Sequence, residues 1–243
     1  MIYKKIDAIF LDHGNTMRIV VKDETFQNNA REQLAKLVEA PEAPDNFCKQ
    51  LEERYNAYKK RAKETLLQDS AVEIWTRWML PDYSAKKIAP LANQLTCLWR
   101  DHTGRRVLRP GAMQTIIELH RRGYTLGIIA NSISETEIPD WLEADGLAQY
   151  FKSVVLSSKF GRRKPDPYIY LEAAYLAGVK PEYCAYVGDN PNRDVAGAQR
   201  AGFGVTIILV EPDTLAKETG KSDVKPDIVI QNFDELLKIF QPR

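Results

Sequence analysis

Two aspartates at opposite ends of the chain are the residues best suited to chemistry. Apolar residues 6–11 end at Asp12, and apolar residues 184–187 end at Gly188 and Asp189. A short buried strand cannot hide a carboxylate, so each aspartate is expected at the carboxyl edge of a parallel sheet, where ligands bind. Two carboxylates brought together there repel each other unless a cation lies between them. Because hard oxygen ligands suit Mg²⁺, the pair predicts a magnesium site.

Alternating segments from about residue 107 onward predict the scaffold that positions these aspartates. The predicted strands are 6–11, 124–130, 152–157, 185–187, 205–210 and 228–230, and the predicted helices are 113–122, 134–144, 167–177, 193–201 and 233–240. This alternation predicts a parallel sheet with helices on both faces, a Rossmann-like three-layer α/β core.

The segment between the first strand and residue 106 has a different pattern. It is almost strandless and carries four helical stripes of apolar residues. We therefore predict a catalytic core formed by residues 1–17 and 106–243, with an all-helical cap, residues 18–105, inserted between them. Such an insertion would lie above the carboxyl edge and act as a lid over Asp12.

Composition limits the partners of the chain. The 243 residues carry a net charge of +1 without a long block of one sign, so we expect neither nucleic acid nor a membrane surface as a partner. No apolar run reaches the ~20 residues of a membrane span, and the first residues do not form a signal peptide. Three cysteines without metal-ligand spacing indicate free thiols. We expect a cytoplasmic protein whose oligomeric state stays open.

Four short motifs resemble those of the haloacid dehalogenase superfamily, a group of mostly Mg²⁺-dependent phosphotransferases with a cap inserted after the first motif. The family pattern Asp-x-Asp-Gly-Thr stands here as Asp-His-Gly-Asn-Thr at 12–16, Ser/Thr-Asn stands as Ala130 and Asn131, Lys-Pro-Asp-Pro stands at 164–167, and Gly-Asp with a later Asp stands as Gly188, Asp189 and Asp194. Together the motifs are specific, although each alone is weak.

The resemblance implies a role for each of these residues. Asp12 would attack phosphorus and form an aspartyl-phosphate, and Lys164 would place a positive charge against it. Mg²⁺ would be held by Asp12, the backbone carbonyl of Gly14, and Asp189. Asp194 would orient the water shell of the metal or Lys164, although it could also simply cap a helix.

Three further residues are candidates for binding the substrate. Asn131 would face the phosphate oxygens, and Ser132 could supply the hydroxyl that Ala130 lacks or could be a plain helix-entry residue. Arg18 would neutralise the substrate near the start of the cap or form part of a solvated hinge. His13 is expected to point away from Asp12 if strand geometry continues. His102 and His120 are expected at the surface or at an interface.

Two departures from the family pattern bear on the reaction. The acid/base Asp is replaced by Gly14, and loss of a positioned acid/base costs ~10²–10⁴-fold in rate. Ala130 removes a hydroxyl donor to the phosphate. Substrates with a good leaving group would suffer least.

These residues predict a Mg²⁺-dependent, phosphatase-type hydrolase that acts on a small phosphorylated molecule. A non-catalytic phosphate-binding or regulatory protein on the same fold is the alternative. Phosphonate-cleaving members of the superfamily use a cap lysine, for which Lys59, Lys60 and Lys63 are available. Dehalogenating members carry a Tyr where this chain has Gly14, and we rank both activities below the hydrolase.

Overall fold

The computed structural model describes residues 5–211 and 223–243, so residues 1–4 and 212–222 of the predicted core lie outside the described part. The strands are β1 (Ala8–Leu11), β2 (Arg18–Val21), β3 (Arg105–Leu108), β4 (Thr125–Ala130), β5 (Phe151–Leu156), β6 (Cys184–Gly188), β7 (Val205–Leu209) and β8 (Ile228–Ile230). Six of them form a parallel sheet in the order β5-β4-β1-β6-β7-β8. The parallel sheet and its strand positions confirm the predicted fold class.

Helices cover both faces of this sheet and also form a separate group. They are α1 (Glu24–Val38), α2 (Pro44–Thr65), α3 (Ala71–Glu73), α4 (Ala85–Ile88), α5 (Ala92–Asp101), α6 (Ala112–Arg121), α7 (Glu137–Ala144), α8 (Ser157–Phe160), α9 (Pro167–Ala177), α10 (Ala196–Arg200) and α11 (Leu236–Ile239). A π-helical segment, Ile74–Met79, continues α3, and a π-helical turn, Pro191–Val195, leads into α10.

The central strand β1 is buried along its whole length. It pairs with β4 on one side and β6 on the other, and all four of its residues are fully buried. One face of the sheet packs on α6, α7 and α11, and the other packs on α9 and α10. A strand covered on both faces must be apolar throughout, which explains why its first polar residue is Asp12, directly after its end.

Helices α1–α5 share a hydrophobic cluster of their own. Trp75 and Trp99 meet edge to face at 6.5 Å, and the Trp75 indole donates a 2.8 Å hydrogen bond to the Thr96 hydroxyl. Ile133, from the loop after β4, joins the same cluster. The helical group therefore packs against the carboxyl edge of the sheet. The division of the chain into core and cap at residues 17/18 and 105/106 stays a prediction.

An antiparallel ribbon formed by β2 and β3 corrects one expectation. The segment from Arg18 was predicted to be almost strandless, but Arg18 pairs with Leu108 and Val21 pairs with Arg105. The partners are separated by more than 80 residues of helical sequence. Local periodicity carries no information on such a pairing, and a four-residue strand is too short to stand out by alternation.

Two smaller expectations also need correction. The helix predicted over 134–144 begins at Glu137, and the Ser134 hydroxyl accepts from the Glu137 N–H at 3.0 Å. His102, expected at the surface or at an interface, is 5% exposed within the chain and packs on the Trp99 ring at 4.1 Å. Among the described residues, no helix is long and apolar enough to cross a membrane.

Candidate active site

Asp12 lies at the carboxyl edge of the sheet, directly after β1. Its N–H donates to the Val187 carbonyl of β6 at 2.8 Å, and its side chain is almost completely buried. Because β1 lies between β4 and β6, the loops after these two strands flank it. Asn131 follows β4 and Asp189 follows β6, so strand order brings residues from distant parts of the sequence to one edge.

Lys164 forms a buried ion pair with Asp12. Its ammonium lies 2.8 Å from an Asp12 oxygen, 2.8 Å from an Asp194 oxygen and 2.6 Å from the Tyr186 hydroxyl. The side chain is 0% exposed. A lysine ammonium has three N–H donors, so these three contacts use all of them.

The side-chain amide of Asn131 holds the backbone of Lys164. Its Oδ1 accepts from the Lys164 N–H at 2.8 Å, and its Nδ2 donates to the Lys164 carbonyl at 3.0 Å. Asn131 thus positions the residue that carries the ammonium. The contact of Asn131 with phosphate oxygens stays a prediction.

Arg193 is a site residue that the sequence did not reveal. One of its guanidinium nitrogens lies 2.9 Å from Asp12, 2.6 Å from Asp189 and 3.1 Å from Asp194. Arg193 lies in the π-helical turn Pro191–Val195, four residues after Asp189. Asp189 and Arg193 are spaced i,i+4, but that spacing predicts an ion pair only within a regular helix, and no sequence pattern announces the π-helical turn.

Counted at their formal charges, the five groups of this cluster are not balanced. Three carboxylates face two cations, which leaves one negative charge. Burial alone would raise the pKa of Asp194, but the charges of Arg193 and Lys164 outweigh it and hold that pKa below its ordinary range. For Arg193, burial is likewise outweighed by Asp194, Asp12 and Asp189, which raise its pKa. Both directions favour the ionised forms of Asp194 and Arg193.

The carboxylates fit a divalent cation. One oxygen from each of Asp12, Asp189 and Asp194 lies within 4.8 Å of the others, and hard carboxylate oxygens are suitable ligands for Mg²⁺. The Arg193 side chain is 31% exposed, which leaves it room to turn outward. If a divalent cation took the place of the Arg193 guanidinium, the net charge of the cluster would rise from −1 to zero.

A cavity of about 210 Å³ opens beside this cluster. Backbone and side chains of Gly14, Asn15, Ser132 and Arg193 line it. His13 lines it as well and stacks on the Trp141 ring at 5.3 Å. We expected His13 to point away from Asp12 only if strand geometry continued to His13. Because β1 ends at Leu11, that condition is not met.

The pKa of His13 reflects its burial and the positive charges around the cavity. Burial, followed by the charges of Arg100 and Arg18, lowers the pKa of the His13 imidazole well below its ordinary value. The imidazole is therefore neutral at physiological pH and cannot donate a proton as an imidazolium there.

Arg18 and Ser132, both predicted to bind the substrate, line this cavity but have other partners. Arg18 pairs with Asp145, donates to the Arg106 carbonyl at 2.9 Å and lies over the Trp141 ring at 4.7 Å. The Ser132 hydroxyl donates to the Ser134 carbonyl at 2.8 Å and thereby closes a local turn. Their roles toward a substrate stay predictions.

Gly14 leaves open space where the family pattern has an acid. A Cβ built on Gly14 has no atom within 4 Å, and its backbone lies outside the left-handed region. The next residue, Asn15, has φ of 60°, in the left-handed region that asparagine tolerates. Asn15 thus stands at the motif's glycine position in a left-handed backbone conformation of the kind that glycine adopts freely.

A second cavity, of about 340 Å³, adjoins the first through Asn131 and Arg193. Lys63 of α2 lines it together with Arg163 and Lys164. Of the three lysines proposed from the sequence for phosphonate chemistry, Lys63 is therefore the one placed beside the site.

Comparison with known proteins identifies the family. The signature of the haloacid dehalogenase-like hydrolases matches residues 6–202. Curated relatives include a glyceraldehyde 3-phosphate phosphatase of Methanopyrus kandleri, 35% identical over 54% of this chain and 55% of its own length. A phosphoserine phosphatase of Thermus thermophilus is 40% identical over 39% of this chain and 38% of its own length. The chain thus spans about half the length of the curated relatives it matches, or less.

Solved structures share the fold over nearly the whole chain. A 2-haloacid dehalogenase from Pseudomonas syringae superposes with a TM-score of 0.69 at 22% identity, covering 96% of this chain and 97% of that one. A phosphatase of the same superfamily from Thermococcus onnurineus gives a TM-score of 0.64 at 20% identity, covering 98% and 99%. At these identities the likeness concerns the fold alone.

Substitution Tyr186→Phe tests the anchoring of Lys164. The variant removes one of three acceptors of a buried ammonium and also the hydroxyl that donates to the Ile129 carbonyl at 3.1 Å. We expect the free energy of unfolding to fall by about 1–3 kcal/mol in chemical denaturation. Tyr175→Phe, at a tyrosine that is 78% exposed, is the control and should leave stability unchanged. Equal stability of both variants would contradict the role of Tyr186.

Proposed function

Because the chain belongs to the haloacid dehalogenase-like hydrolases, we propose that it is a Mg²⁺-dependent phosphatase that acts on a small phosphorylated molecule through an aspartyl-phosphate. One observation carries the proposal. The carboxylate of Asp12 lies 2.8 Å from a fully buried Lys164 ammonium and beside Asp189, at the edge of a small cavity. Matching relatives from Methanopyrus kandleri, Thermus thermophilus and Vibrio cholerae are described as phosphatases of small phosphorylated compounds, which supports this substrate class.

Asp12 is the nucleophile of the proposed reaction. A bond forms between its carboxylate oxygen and phosphorus, while the bond from phosphorus to the leaving-group oxygen breaks. Lys164 offsets the negative charge shared by the carboxylate and the phosphoryl oxygens. Water then hydrolyses the aspartyl-phosphate, which restores the Asp12 carboxylate and releases inorganic phosphate.

Asp12, Asp189 and the backbone carbonyl of Gly14 would hold the Mg²⁺ ion. When bound, Mg²⁺ supplies charge neutralisation at the phosphoryl oxygens. Asp194 contributes indirectly, because it binds the Lys164 ammonium and accepts from the Asn190 N–H at 3.0 Å. If Arg193 turns outward, the three carboxylates and Lys164 leave two negative charges, which a divalent cation balances and a monovalent one does not.

The leaving group determines how fast such an enzyme can be. Gly14 cannot protonate a departing alkoxide, and the buried, neutral His13 cannot do so as an imidazolium. Leaving groups that are stable as anions, such as the carboxylate of an acyl phosphate, need no proton. The proposed enzyme therefore favours acyl or activated phosphates over simple alkyl phosphates.

A non-catalytic phosphate-binding or regulatory protein is the second candidate. The 2.9 Å contact between Arg193 and Asp12 favours it, because it holds the nucleophile in an ion pair. Gly14 and Ala130 favour it as well. Phosphonate cleavage would need a lysine of the helical group at the site, and the position of Lys63 makes phosphonates the next substrates to try.

Substitution Asp12→Asn separates the two candidates. We expect Mg²⁺-dependent phosphate release from p-nitrophenyl phosphate and acetyl phosphate to fall by roughly 10⁴–10⁶-fold, as removal of a covalent nucleophile does. Asp234→Asn, an exposed aspartate near the last helix, is the control. Activity retained in Asp12→Asn would refute the nucleophile. Absence of turnover in the natural protein, with Mg²⁺ binding intact, would make the binding protein the better explanation.

Substitution Gly14→Asp tests the missing acid. A Cβ at this position would meet no atom within 4 Å, so the substitution causes no clash at the Cβ. We expect kcat for an alkyl phosphate to rise by ~10²–10⁴-fold, and kcat for acetyl phosphate to rise far less. Gly14→Asn has the same shape but no acid and is the matched control. An equal gain for both substrates would show that the new side chain acts in some way other than protonating the leaving group.

Substitution Arg193→Met tests the exchange of cations. If Mg²⁺ displaces the guanidinium, removing it should lower the Mg²⁺ dissociation constant by roughly 10–100-fold in titration calorimetry, since about 1.5–3 kcal/mol of charged hydrogen bonding no longer competes. Arg200→Met is the control, because Arg200 is exposed on α10 and its side chain bonds only the Ala196 carbonyl among the described residues. Weaker or unchanged Mg²⁺ binding in Arg193→Met would contradict the exchange.

A further inference from the structure

We infer that Arg109 is a positioning residue for the proposed Mg²⁺ site, because it fixes the backbone of the loop that carries the Gly14 carbonyl. This inference rests on the proposed function and adds to it a residue that acts through the loop rather than on the metal or the substrate. Arg109 directly follows β3 and lies outside all four motifs of the sequence. The hydrogen bonds of its guanidinium are the evidence.

The loop after β1 is a tight turn that closes on itself. The His13 carbonyl accepts from the Met17 N–H at 3.0 Å and from the Arg18 N–H at 2.9 Å. The Asn15 N–H donates to the Arg18 carbonyl at 2.7 Å. Gly14 and Asn15 line the cavity of about 210 Å³. The turn therefore forms part of the wall of the space in which the phosphoryl group would bind.

Arg109 binds the carbonyls that follow in this turn. Its Nε donates to the Thr16 carbonyl at 2.8 Å, and one Nη donates to the Asn15 carbonyl at 2.6 Å. The guanidinium is planar and rigid, so one group holds two successive peptide groups in a fixed relation. The backbone N–H of Arg109 also donates to the Met17 carbonyl at 2.8 Å. Three successive carbonyls, those of residues 15–17, are thus bound to one residue.

A carboxylate keeps the guanidinium in this position. Arg109 forms an ion pair with Glu211, which lies two residues after β7, and the side chains are only 15% and 16% exposed. Arg109 lines neither of the two cavities at the site. Its charge is therefore balanced within the chain, and it is not placed to bind an anionic substrate in either cavity. Holding the loop is the role that its contacts support.

The Gly14 carbonyl belongs to the same peptide group as the Asn15 N–H. Because a peptide group is planar, the bond from that N–H to the Arg18 carbonyl also fixes the direction of the Gly14 carbonyl. The peptide group on the other side of Asn15 is fixed by Arg109. Asn15 itself has φ of 60°, a conformation that is costly without glycine and persists where the surroundings enforce it. Loss of the Arg109 bonds would let Asn15 relax and turn the Gly14 carbonyl.

The sign of the change in Mg²⁺ affinity tests this role. If charge alone acted, removing a cation beside the site would tighten Mg²⁺ binding. If Arg109 positions the Gly14 carbonyl, Arg109→Met should instead raise the Mg²⁺ dissociation constant by about 10–100-fold in titration calorimetry, as loss of a group that orients a metal ligand does. The expected change is thus opposite in sign to that of Arg193→Met.

Arg105→Met is the matched control. Arg105 lies on β3, is exposed and pairs with Asp23 at 3.0 Å. The control removes the same kind of side chain and one ion pair, but it leaves the loop bonds intact. We expect its Mg²⁺ dissociation constant to equal that of the natural protein.

Hydrogen exchange of the Asn15 amide, measured by NMR without Mg²⁺, provides a second readout. Once the neighbouring carbonyl is released, the loop should open more often. We expect the Asn15 N–H to exchange roughly 10–100-fold faster in Arg109→Met, as loss of a charged hydrogen bond allows, and at the natural rate in Arg105→Met. This measurement requires neither metal nor turnover.

Unchanged or tighter Mg²⁺ binding in Arg109→Met, or an unchanged exchange rate of the Asn15 amide, would overturn the inference. If Arg109→Met fails to fold, as judged by circular dichroism, Arg109→Lys replaces it. Lysine keeps the charge but not the planar fork of donors, so we expect a smaller rise in the Mg²⁺ dissociation constant, and no rise would overturn the inference. Phosphate release by the natural protein tests the hydrolysis separately. Absence of release, with Mg²⁺ affinity dependent on Arg109, would refute the hydrolysis and leave the positioning role supported.

Discussion

The ion pairs that the Lys164 ammonium forms with Asp12 and Asp194 are the interactions on which the site depends. Three carboxylates converge at one buried sheet edge, and without positive charge among them their mutual repulsion would open that edge. Lys164 reaches two of the three and has no exposed surface. Because a buried ammonium must satisfy all its donors, its position is tightly specified.

The surrounding structure can be understood as the means of holding that ammonium in place. Tyr186 supplies the third acceptor, and burial, with the charges of Asp194 and Asp12, raises the pKa of its phenol, so it remains protonated. Asn131 holds the peptide groups of Lys164 from the loop after the neighbouring strand. The order β4-β1-β6 is what brings these contributors together, since each lies on or directly after one of those strands.

Much of this arrangement could be predicted from the sequence, because the motifs combine a buried strand with a polar residue at its end. The structure brings Asp12, Asp189, Lys164 and Asp194 together at one edge, and their roles there stay predictions. The roles of Tyr186 and Arg193 could not be predicted. Tyr186 belongs to an apolar run and gave no sign of its hydroxyl's partners, and the position of Arg193 depends on a π-helical turn that no local pattern announces. The β2–β3 pairing was missed because it joins segments far apart in the chain.

The ribbon of β2 and β3 has a consequence for how such a protein can change over evolutionary time. Both chain crossings between the sheet and the helical group run through these two paired strands, and Arg18 and Arg106 are part of them. The segment between Val21 and Arg105 can therefore become longer or shorter, or be replaced by recombination, while Arg18 stays paired with Leu108. Proteins that exchange their helices in this way would keep the same pair of strands with Arg18 and Arg106. They would differ in the helices that cover the site.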